Sequence, residues 1–273
     1  MQIILPDDAE IYYEKHGQGE LIVLVHGSLG DYRDWANQVP FFLNSGYKVV
    51  TYSRRNHFPN PWKDYPVNYS LLSEKDDLLS LLKELGEPAY LIGYSYGGFV
   101  SALVARDYPS YVRKLILAEP PIFTMIKGEQ EISLALIFQS EIIEPAKKLL
   151  RKNDLESGIR IFLDGISGTS GVFDRLKPAF RQAMIDNART ALPEIEITPV
   201  RDPFDCSDAG QIKAPTLLFL GEDSSKILQS ITYKLAKCIP QNRLVKIPRS
   251  SHGMIWDNPK AFNESLLQFL RSK

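Results

Sequence analysis

The sequence predicts an α/β fold built on a parallel, doubly wound sheet, and three observations support this prediction. Strand-like and helix-like segments alternate three times before residue 118. The strand segments are apolar on nearly every residue, as in Leu21-Ile22-Val23-Leu24-Val25, which is typical of strands covered by helices on both faces. One such strand leads into Gly93-Tyr94-Ser95-Tyr96-Gly97 and then into a helical pattern, which is the strand, tight turn and helix of a nucleophile elbow.

The first half of the chain follows this alternation. Strands are predicted over residues 10–13, 21–25, 47–52, 89–92 and 114–118, and helices over 35–43, 70–85 and 96–107. The helix over 70–85 is amphipathic, and Ser73 and Asp76 are spaced as a capping box near its start. Residues 53–62 are rich in Pro and Asn, which predicts an irregular loop.

The alternation stops over residues 123–208. Helices are predicted there over 133–152, 155–163 and 174–192, joined by Gly-rich turns. The strand pattern resumes over 215–220, and a helix over 226–238, a strand over 244–247 and a last helix after Asn258-Pro259 follow. We therefore expect a core domain of residues 1–122 and 209–273, interrupted by a helical segment of residues 123–208.

Composition limits the ligands. The 273 residues, 44% of them hydrophobic, can bury a large core, and 32 Lys and Arg balance 33 Asp and Glu. This balance favours neither nucleic acid nor an anionic membrane as a partner, so a small molecule is the expected ligand. The N-terminus does not resemble a signal peptide and no apolar run is long enough to cross a bilayer, which predicts a soluble, cytoplasmic protein.

Two cysteines, Cys206 and Cys238, form neither a disulfide framework nor a cluster of metal ligands. We expect both to be reduced and structural. The sequence predicts no metal and no cofactor.

Ser95 is the predicted nucleophile, and a serine nucleophile needs a base that accepts its proton. Of the four histidines, His252 follows the last predicted strand directly. Catalytic groups gather at the carboxyl ends of parallel strands, and a base that follows the serine in the chain suits a nucleophile elbow. His252 is therefore the predicted base.

In the order and spacing of its motifs the chain resembles the α/β-hydrolase superfamily over nearly its whole length. The motifs that carry this resemblance are His26-Gly27 with Trp35, the elbow at residues 93–97, the strand that ends at Leu220-Gly221, and His252 ahead of Asn258-Pro259. The resemblance implies an eight-stranded, mostly parallel sheet flanked by helices, with residues 123–208 as an inserted helical cap. It also implies an oxyanion hole made by the backbone N–H groups of Ser28 and Tyr96.

Two positions depart from the family. Haloalkane dehalogenases and epoxide hydrolases of this fold carry an aspartate at the elbow, so Ser95 disfavours those activities. Most members have Arg-Gly in the loop after the third main strand, where this chain has Arg55-Asn56.

The carboxylate that orients His252 has two candidates. The commonest acid position of the family falls on Ser224 here, and Asp223 is one residue away. Some relatives place the acid at the end of the sixth strand, where this chain has Glu119 between Ala118 and Pro120. A carboxylate at that end needs a buried partner to stay charged, and His252 is a suitable one. Glu119 is slightly favoured, and Asp223 stays open as the alternative acid.

The predicted function is that of a serine hydrolase that cleaves an ester or related acyl bond of a small, largely apolar molecule through an acyl-enzyme. Aromatic residues of the cap and of the Pro-rich loop favour an apolar substrate; they are Phe123, Phe138, Phe162, Phe173, Phe180 and Trp62. C–C bond hydrolysis and cofactor-free perhydrolysis, which family members perform with the same triad, are the alternatives. A weakly catalytic ligand receptor of the same fold is another.

Overall fold

The computed structural model describes residues 1–62, 69–197 and 204–272. Eight strands in these residues form one sheet in the order β1-β2-β4-β3-β5-β6-β7-β8. The strands are β1 (Gln2–Ile4), β2 (Glu10–His16), β3 (Leu21–Val25), β4 (Lys48–Tyr52), β5 (Ala89–Tyr94), β6 (Val112–Ala118), β7 (Thr216–Gly221) and β8 (Asn242–Ile247). Only β2 runs against its neighbours, β1 and β4, and all other pairs are parallel. The predicted fold class is confirmed.

Helices pack on both faces of this sheet. Those of the first half are α1 (Val39–Asn44), α2 (Leu71–Leu85) and α3 (Tyr96–Asp107). The segment between β6 and β7 contributes α4 (Glu129–Phe138), α5 (Glu144–Arg151), α6 (Leu155–Ser167), α7 (Val172–Arg175), α8 (Pro178–Asp186), α9 (Ala191–Ile197) and α10 (Cys206–Gly210). The last three are α11 (Lys226–Cys238), α12 (Met254–Asp257) and α13 (Pro259–Arg271). A short 3-10 turn at Tyr32–Trp35 precedes α1.

Strand β3 shows why the central strands are apolar throughout. Its residues Leu21, Val23 and Val25 belong to a cluster with residues of α2, α3 and α11, whereas Ile22 and Leu24 belong to a second cluster with residues of α1 and α13. Successive strand residues point to opposite faces, so a strand covered on both faces needs no polar position. The sheet is therefore the middle of three layers.

In the first half, one helix begins at another residue than predicted and a second has a different N-terminal cap. The helix expected over 35–43 is replaced by the 3-10 turn, which the Asp31 side chain caps, and by α1, in which Pro40 lies in the first turn. Proline is tolerated in the first turn of a helix but not in its interior. The capping box expected at Ser73 is wrong as well, because the Ser70 side chain accepts the Ser73 N–H at 3.1 Å and begins α2.

The described part of the segment 123–208 is helical, with breaks that the sequence pattern did not predict. The helix expected over 133–152 begins earlier, and a π-helical turn at Gln139–Ile143 joins α4 to α5. The helix expected over 174–192 is divided, because Pro178 begins a new helix and a 3-10 turn follows at Ala188–Thr190. The division of the chain at residues 123 and 208 stays a prediction.

The expectation that both cysteines are reduced is wrong. Cys206 and Cys238 form a disulfide, with their Cα atoms 5.1 Å apart. Cys206 begins α10 and Cys238 ends α11, so the bond ties the end of the inserted segment to a helix of the core. Among the helices of the described residues, none has the length and apolar character needed to span a membrane.

Candidate active site

Ser95 lies in a sharp turn between β5 and α3. Its backbone φ is 51°, a conformation that few non-glycine residues adopt and that is often found at functional sites. The turn brings neighbouring backbone very close: a Cβ at Gly97 would lie 2.3 Å from the His26 carbonyl oxygen, and one at Gly93 would lie 2.5 Å from the Cα of Gly98. Glycine is therefore required at both positions for the elbow to form.

The structure brings Ser95, His252 and Glu119 into one hydrogen-bonded row. His252 Nε2 is 2.9 Å from Ser95 Oγ, and His252 Nδ1 is 2.7 Å from Glu119 Oε2. All three side chains are buried. These residues follow β5, β8 and β6, so their meeting depends on the parallel strands that end at the same edge of the sheet.

Glu119 is held by a second bond that defines the role of each of its oxygens. The backbone N–H of Gly221, at the end of β7, donates to Glu119 Oε1 at 2.7 Å. The other oxygen is left to face Nδ1 of His252, which donates its proton when the carboxylate is charged. Nε2 is then the unprotonated nitrogen that faces Ser95, which is the tautomer a general base requires.

Asp223, the alternative acid, does not lie against His252. Its side chain is exposed, and its backbone N–H donates to the Ser250 carbonyl at 2.9 Å. The side chain that faces His252 Nδ1 is that of Glu119. Strand β7 ends in a turn that directs the Gly221 N–H, rather than a carboxylate of its own loop, toward the site. The loop of Asp223 supports the loop of His252 through its backbone.

The His252 ring also has a fixed orientation. The Tyr94 ring lies against it at a centroid distance of 5.0 Å and an interplanar angle of 30°, and the Trp256 ring packs edge-on against Tyr94 at 5.4 Å. These contacts hold the imidazole in the plane that joins Ser95 to Glu119.

Ser28 and Tyr96, the predicted oxyanion donors, line the same cavity as Ser95. Tyr96 is the first residue of α3, a position whose N–H has no acceptor within its own helix. Ser28 follows His26-Gly27, and His26 fixes that loop: its Nδ1 is 2.8 Å from the Gly27 carbonyl oxygen, and its Nε2 accepts the Arg54 N–H at 2.9 Å. Burial holds the pKa of His26 well below its ordinary value, which keeps this ring neutral.

The cavity beside Ser95 has a volume of about 220 Å³ and mostly apolar walls. The inserted segment contributes much of this lining, namely Phe123, Ala135, Phe138, Gln139, Ile143, Phe162, Ile166, Glu194 and Ile195. Three of the aromatic residues expected at the substrate site thus lie there. Of the others, Phe173 packs under Arg160 and Phe180 against Trp256, while Trp62 is half-buried at the end of the first described range.

A cluster of buried charges lies next to the cavity, and we call Arg54, Glu74, Glu194, His57 and Tyr69 the Arg54 cluster. Arg54 Nη1 donates to both oxygens of Glu74, at 2.8 and 2.6 Å, and Nη2 donates to Glu194 Oε1 at 2.6 Å. His57 Nε2 and the Tyr69 hydroxyl each lie 3.1 Å from the same oxygen of Glu194. The cluster joins the loop after β4 to α2 and α9.

The charge of Glu194 depends on these partners. Burial, the largest influence, raises the pKa of Glu194, but the Arg54 charge and the hydrogen bond of His57 outweigh it and lower the pKa to about 2. His57, Glu74 and Glu194 have ligand atoms within 4.8 Å of one another. The Arg54 guanidinium donates to both carboxylates, so these two groups are already paired with a permanently positive side chain.

Sequence reasoning did not identify the Arg54 cluster. Arg54 and His57 stand in the irregular loop of residues 53–62, and Glu194 is 140 residues from Arg54, so no local pattern joins them. The neighbouring departure from the family has a structural explanation: Asn56 has a φ of 63°, and asparagine tolerates this left-handed conformation better than most residues that replace glycine.

Comparisons with known proteins agree with this architecture. A family model described as the alpha/beta hydrolase fold matches residues 20–259. An sn-1-specific diacylglycerol lipase from Mus musculus is 28% identical over 91% of this chain and 80% of its own. A 2-hydroxy-6-oxononadienedioate/2-hydroxy-6-oxononatrienedioate hydrolase from Burkholderia vietnamiensis is 25% identical over 97% of this chain and 92% of its own.

Among solved structures, a bromoperoxidase from Bacillus anthracis superposes with a TM-score of 0.78 and 27% identity, and the match covers 97% of this chain and 96% of that one. These proteins bear different activities on similar chains. The similarity therefore identifies the fold and the broad enzyme class, and the particular substrate has to be argued from the site.

Proposed function

The chain belongs to the α/β-hydrolase family, and from this membership we propose that it is a serine hydrolase that cleaves an ester or related acyl bond of a small, largely apolar molecule. One observation carries the proposal above all others. Ser95, His252 and Glu119, which lie up to 157 residues apart in the chain, form an unbroken row of hydrogen bonds beside an apolar cavity.

In the first step, Ser95 Oγ attacks the acyl carbon while His252 Nε2 takes its proton. The imidazolium that forms is stabilised by Glu119, whose second oxygen is held by the Gly221 N–H. The negative charge that develops on the acyl oxygen is stabilised by the backbone N–H groups of Ser28 and Tyr96. His252 then gives its proton to the leaving alcohol, and an acyl group remains on Ser95.

In the second step, a water molecule loses its proton to His252 Nε2 and attacks the acyl carbon. The same two N–H groups stabilise the second oxyanion. Collapse of this intermediate releases the carboxylic acid and returns the proton from His252 to Ser95. Protons and charges balance over the cycle without an added cofactor.

The cavity limits the substrate class. About 220 Å³ is below the roughly 300–1,000 Å³ typical of sites for drug-sized ligands. Phe123 and Phe138, whose rings stack at 5.7 Å, form part of the apolar wall contributed by the inserted segment. This segment acts as the cap of the site, and the acyl or aromatic part of a small substrate fills the space beneath it.

Two other reactions remain alternatives with the same residues. C–C bond hydrolysis and cofactor-free perhydrolysis are both chemistries that we predicted from the family resemblance. The relative named as a 2-hydroxy-6-oxononadienedioate hydrolase and the solved bromoperoxidase are reasons to keep them in the assay panel. A receptor of this fold is less well supported, because the relatives described above are named as enzymes.

The predicted cytoplasmic location has one observation against it. Reducing compartments keep most thiols free, whereas Cys206 and Cys238 are bonded. Cell fractionation tests the cytoplasmic location, and thiol labelling tests whether the two cysteines are bonded. A protein that stays in the cytoplasm is expected to carry both cysteines in reduced form.

The test of the proposed function is fluorophosphonate labelling with Ser95→Ala as the control, followed by a panel of p-nitrophenyl esters of increasing acyl length. We expect the wild-type protein to be labelled, the variant to remain unlabelled, and short esters to be turned over faster than long ones. Failure of the wild-type protein to react with the probe contradicts the hydrolase proposal. Labelling without ester turnover favours the alternative reactions, which assays with a ring-cleavage product and with peroxide and acetate then separate.

A further inference from the structure

Glu194 stands out among the residues of the cavity because it is a buried carboxylate in a mostly apolar wall. It lies in α9 of the inserted segment, its side chain is 2% exposed, and it lines the cavity together with Ser28, Ser95 and Tyr96. The proposed mechanism assigns no proton transfer to it. A buried carboxylate so close to a reacting serine therefore needs another explanation.

Its hydrogen bonds lead to the loop that carries Ser28. Arg54, which donates to Glu194 through Nη2 at 2.6 Å, uses the same nitrogen to donate to the Gly27 carbonyl oxygen at 3.0 Å. Ser28 and Glu194 also line the same cavity. Glu194 thus holds the loop through Arg54.

The peptide unit between Gly27 and Ser28 explains why these two bonds matter. The Gly27 C=O and the Ser28 N–H belong to one planar group, and in a trans peptide they point in opposite directions. Arg54 and His26 both bind the carbonyl oxygen, at 3.0 and 2.8 Å. Fixing the oxygen fixes the direction of the N–H, which is one of the two donors of the proposed oxyanion hole.

We propose that Glu194 is a positioning residue for the oxyanion hole, which orients the Gly27–Ser28 peptide through Arg54. The assignment rests on the proposed function, because the hole serves acyl transfer. It also gives the inserted segment a part in the chemistry, since α9 supplies Glu194. Its effect is on the alignment of a donor, and Glu194 itself does not touch the reacting atoms.

Electrostatics set a condition for this role. A bare carboxylate near a developing oxyanion would oppose it, since like charges in a buried site repel strongly. Here the Arg54 guanidinium lies 2.6 Å from Glu194 Oε1, and His57 and Tyr69 donate to the same oxygen. The negative charge of the carboxylate is thus stabilised on the side of the Arg54 cluster.

Glu74 offers a matched control. It is as buried as Glu194 and pairs with the same guanidinium through Arg54 Nη1. The Arg54 nitrogen that holds the Gly27 carbonyl is the one bonded to Glu194. Glu74→Gln therefore removes an equivalent charge from the Arg54 cluster and leaves the Arg54 nitrogen that holds the Gly27 carbonyl bonded to Glu194.

The experiment measures kcat, KM and the fluorophosphonate labelling rate for Glu194→Gln, Arg54→Lys, the double variant and Glu74→Gln, with thermal melting of each. A misaligned donor lowers the rate less than a missing one, so we expect kcat and the labelling rate of Glu194→Gln to fall about ten-fold, with KM within about two-fold of the wild-type value. Arg54→Lys keeps the positive charge but lacks the planar guanidinium that donates to Gly27, and is expected to lower kcat by about three-fold or more. The double variant is expected to be no slower than the slower single variant within about two-fold, because both changes act on the same peptide. Glu74→Gln is expected to melt at a lower temperature with kcat within about three-fold.

Three results overturn the assignment: a wild-type kcat in folded Glu194→Gln, an equal loss of kcat in Glu74→Gln, or losses that multiply in the double variant. If Glu194→Gln does not fold, an unchanged kcat in Arg54→Lys overturns it instead. A wild-type protein that neither reacts with the probe nor turns over esters overturns the proposed function and this assignment with it. A reactive wild-type protein with an unaffected Glu194→Gln variant overturns the assignment alone.

Discussion

Replacing Glu119 by glutamine is the perturbation whose outcome the site geometry specifies most fully. Glu119 Oε1 accepts the Gly221 N–H at 2.7 Å, and Oε2 faces His252 Nδ1 at 2.7 Å. In Glu119→Gln the amide has one oxygen and one NH2 group. The oxygen stays with Gly221, because two N–H donors cannot face each other, and the NH2 group turns toward His252.

This exchange acts on His252 in two ways. The NH2 group needs an acceptor, so Nδ1 loses its proton and Nε2 carries it, which prevents Nε2 from accepting the proton of Ser95. The variant also lacks the charge that stabilises the imidazolium. At 2.7 Å and an effective dielectric constant of about 20, that attraction amounts to about 6 kcal/mol. Since part of it is recovered by reorganisation, we expect a loss of about 4 to 5.5 kcal/mol, which is about 10³- to 10⁴-fold in kcat.

The assay compares kcat for a p-nitrophenyl ester between the wild-type protein, Glu119→Gln and the control variant Asp223→Asn. Asp223 is exposed and contributes its backbone N–H to the Ser250 carbonyl, so its variant is expected to stay within about three-fold of the wild type. A loss below about ten-fold in Glu119→Gln would refute the reasoning. The reasoning would also be refuted if Asp223→Asn abolished turnover and Glu119→Gln did not. In that case Asp223, and not Glu119, would be the acid.

Three further predictions concern stability. Replacing both Cys206 and Cys238 by serine opens a loop of 32 residues and should lower the free energy of unfolding by about 3 to 4 kcal/mol in urea titrations; a loss below about 1 kcal/mol would contradict it. In Gly97→Ala the new Cβ would lie 2.3 Å from a carbonyl oxygen, so the free energy of unfolding should fall by about 2 kcal/mol or more and fluorophosphonate labelling should be lost. Gly98→Ala is the control: its Cβ contacts are 3.1 Å or longer, so this variant should fold and be labelled. The pKa of Glu194 is lowered from 4.5 to about 2, so its charge stabilises the fold above pH 4.5 and this stabilisation is lost as the pH falls toward 2. Glu194→Gln should therefore lose less stability than the wild type over that pH range, which acid unfolding followed by circular dichroism measures.

The elements that could be predicted from the sequence are those with a local physical cause. β3 is recognisable because burial on both faces makes every residue apolar. α3 begins and ends at the predicted residues, since the tight elbow precedes it and Tyr108-Pro109 follows it. Ser95 and His252 could be identified in the same way, because each follows a recognisable strand at the edge where parallel strands end.

The choice between Glu119 and Asp223 has no such local cause. Both residues follow a buried strand, and the sequence favours Glu119 over Asp223 as the acid only slightly. The decision depends on how each loop turns: Glu119 has a φ of 47°, while the loop of Asp223 is bonded through its backbone to Ser250. Loop conformations of this kind depend on contacts between distant strands, which a single sequence does not display.

The disulfide is a second case in which distant contacts decide. Cys206 and Cys238 are 32 residues apart, and the pattern of a long chain with two cysteines favours reduced thiols. What joins them is the position at which α10 begins beside the end of α11. This position is set by the packing of the inserted segment on the core.

The same distinction separates the chemistry of this protein from its specificity. The residues proposed to carry the reaction follow strands of the sheet, whose pattern is strong, whereas the cavity wall is contributed by α4, α6, α9 and the turn at Gln139–Ile143. Phe138 and Phe162 line it from different helices. The sequence pattern of a helix is the same whether its apolar residues face a core or a cavity. Substitutions at these two positions should therefore change the preferred acyl length while fluorophosphonate labelling of Ser95 persists. Glu194 is the exception that joins the two parts, since it belongs to α9 of the cavity wall and holds the Gly27 carbonyl through Arg54.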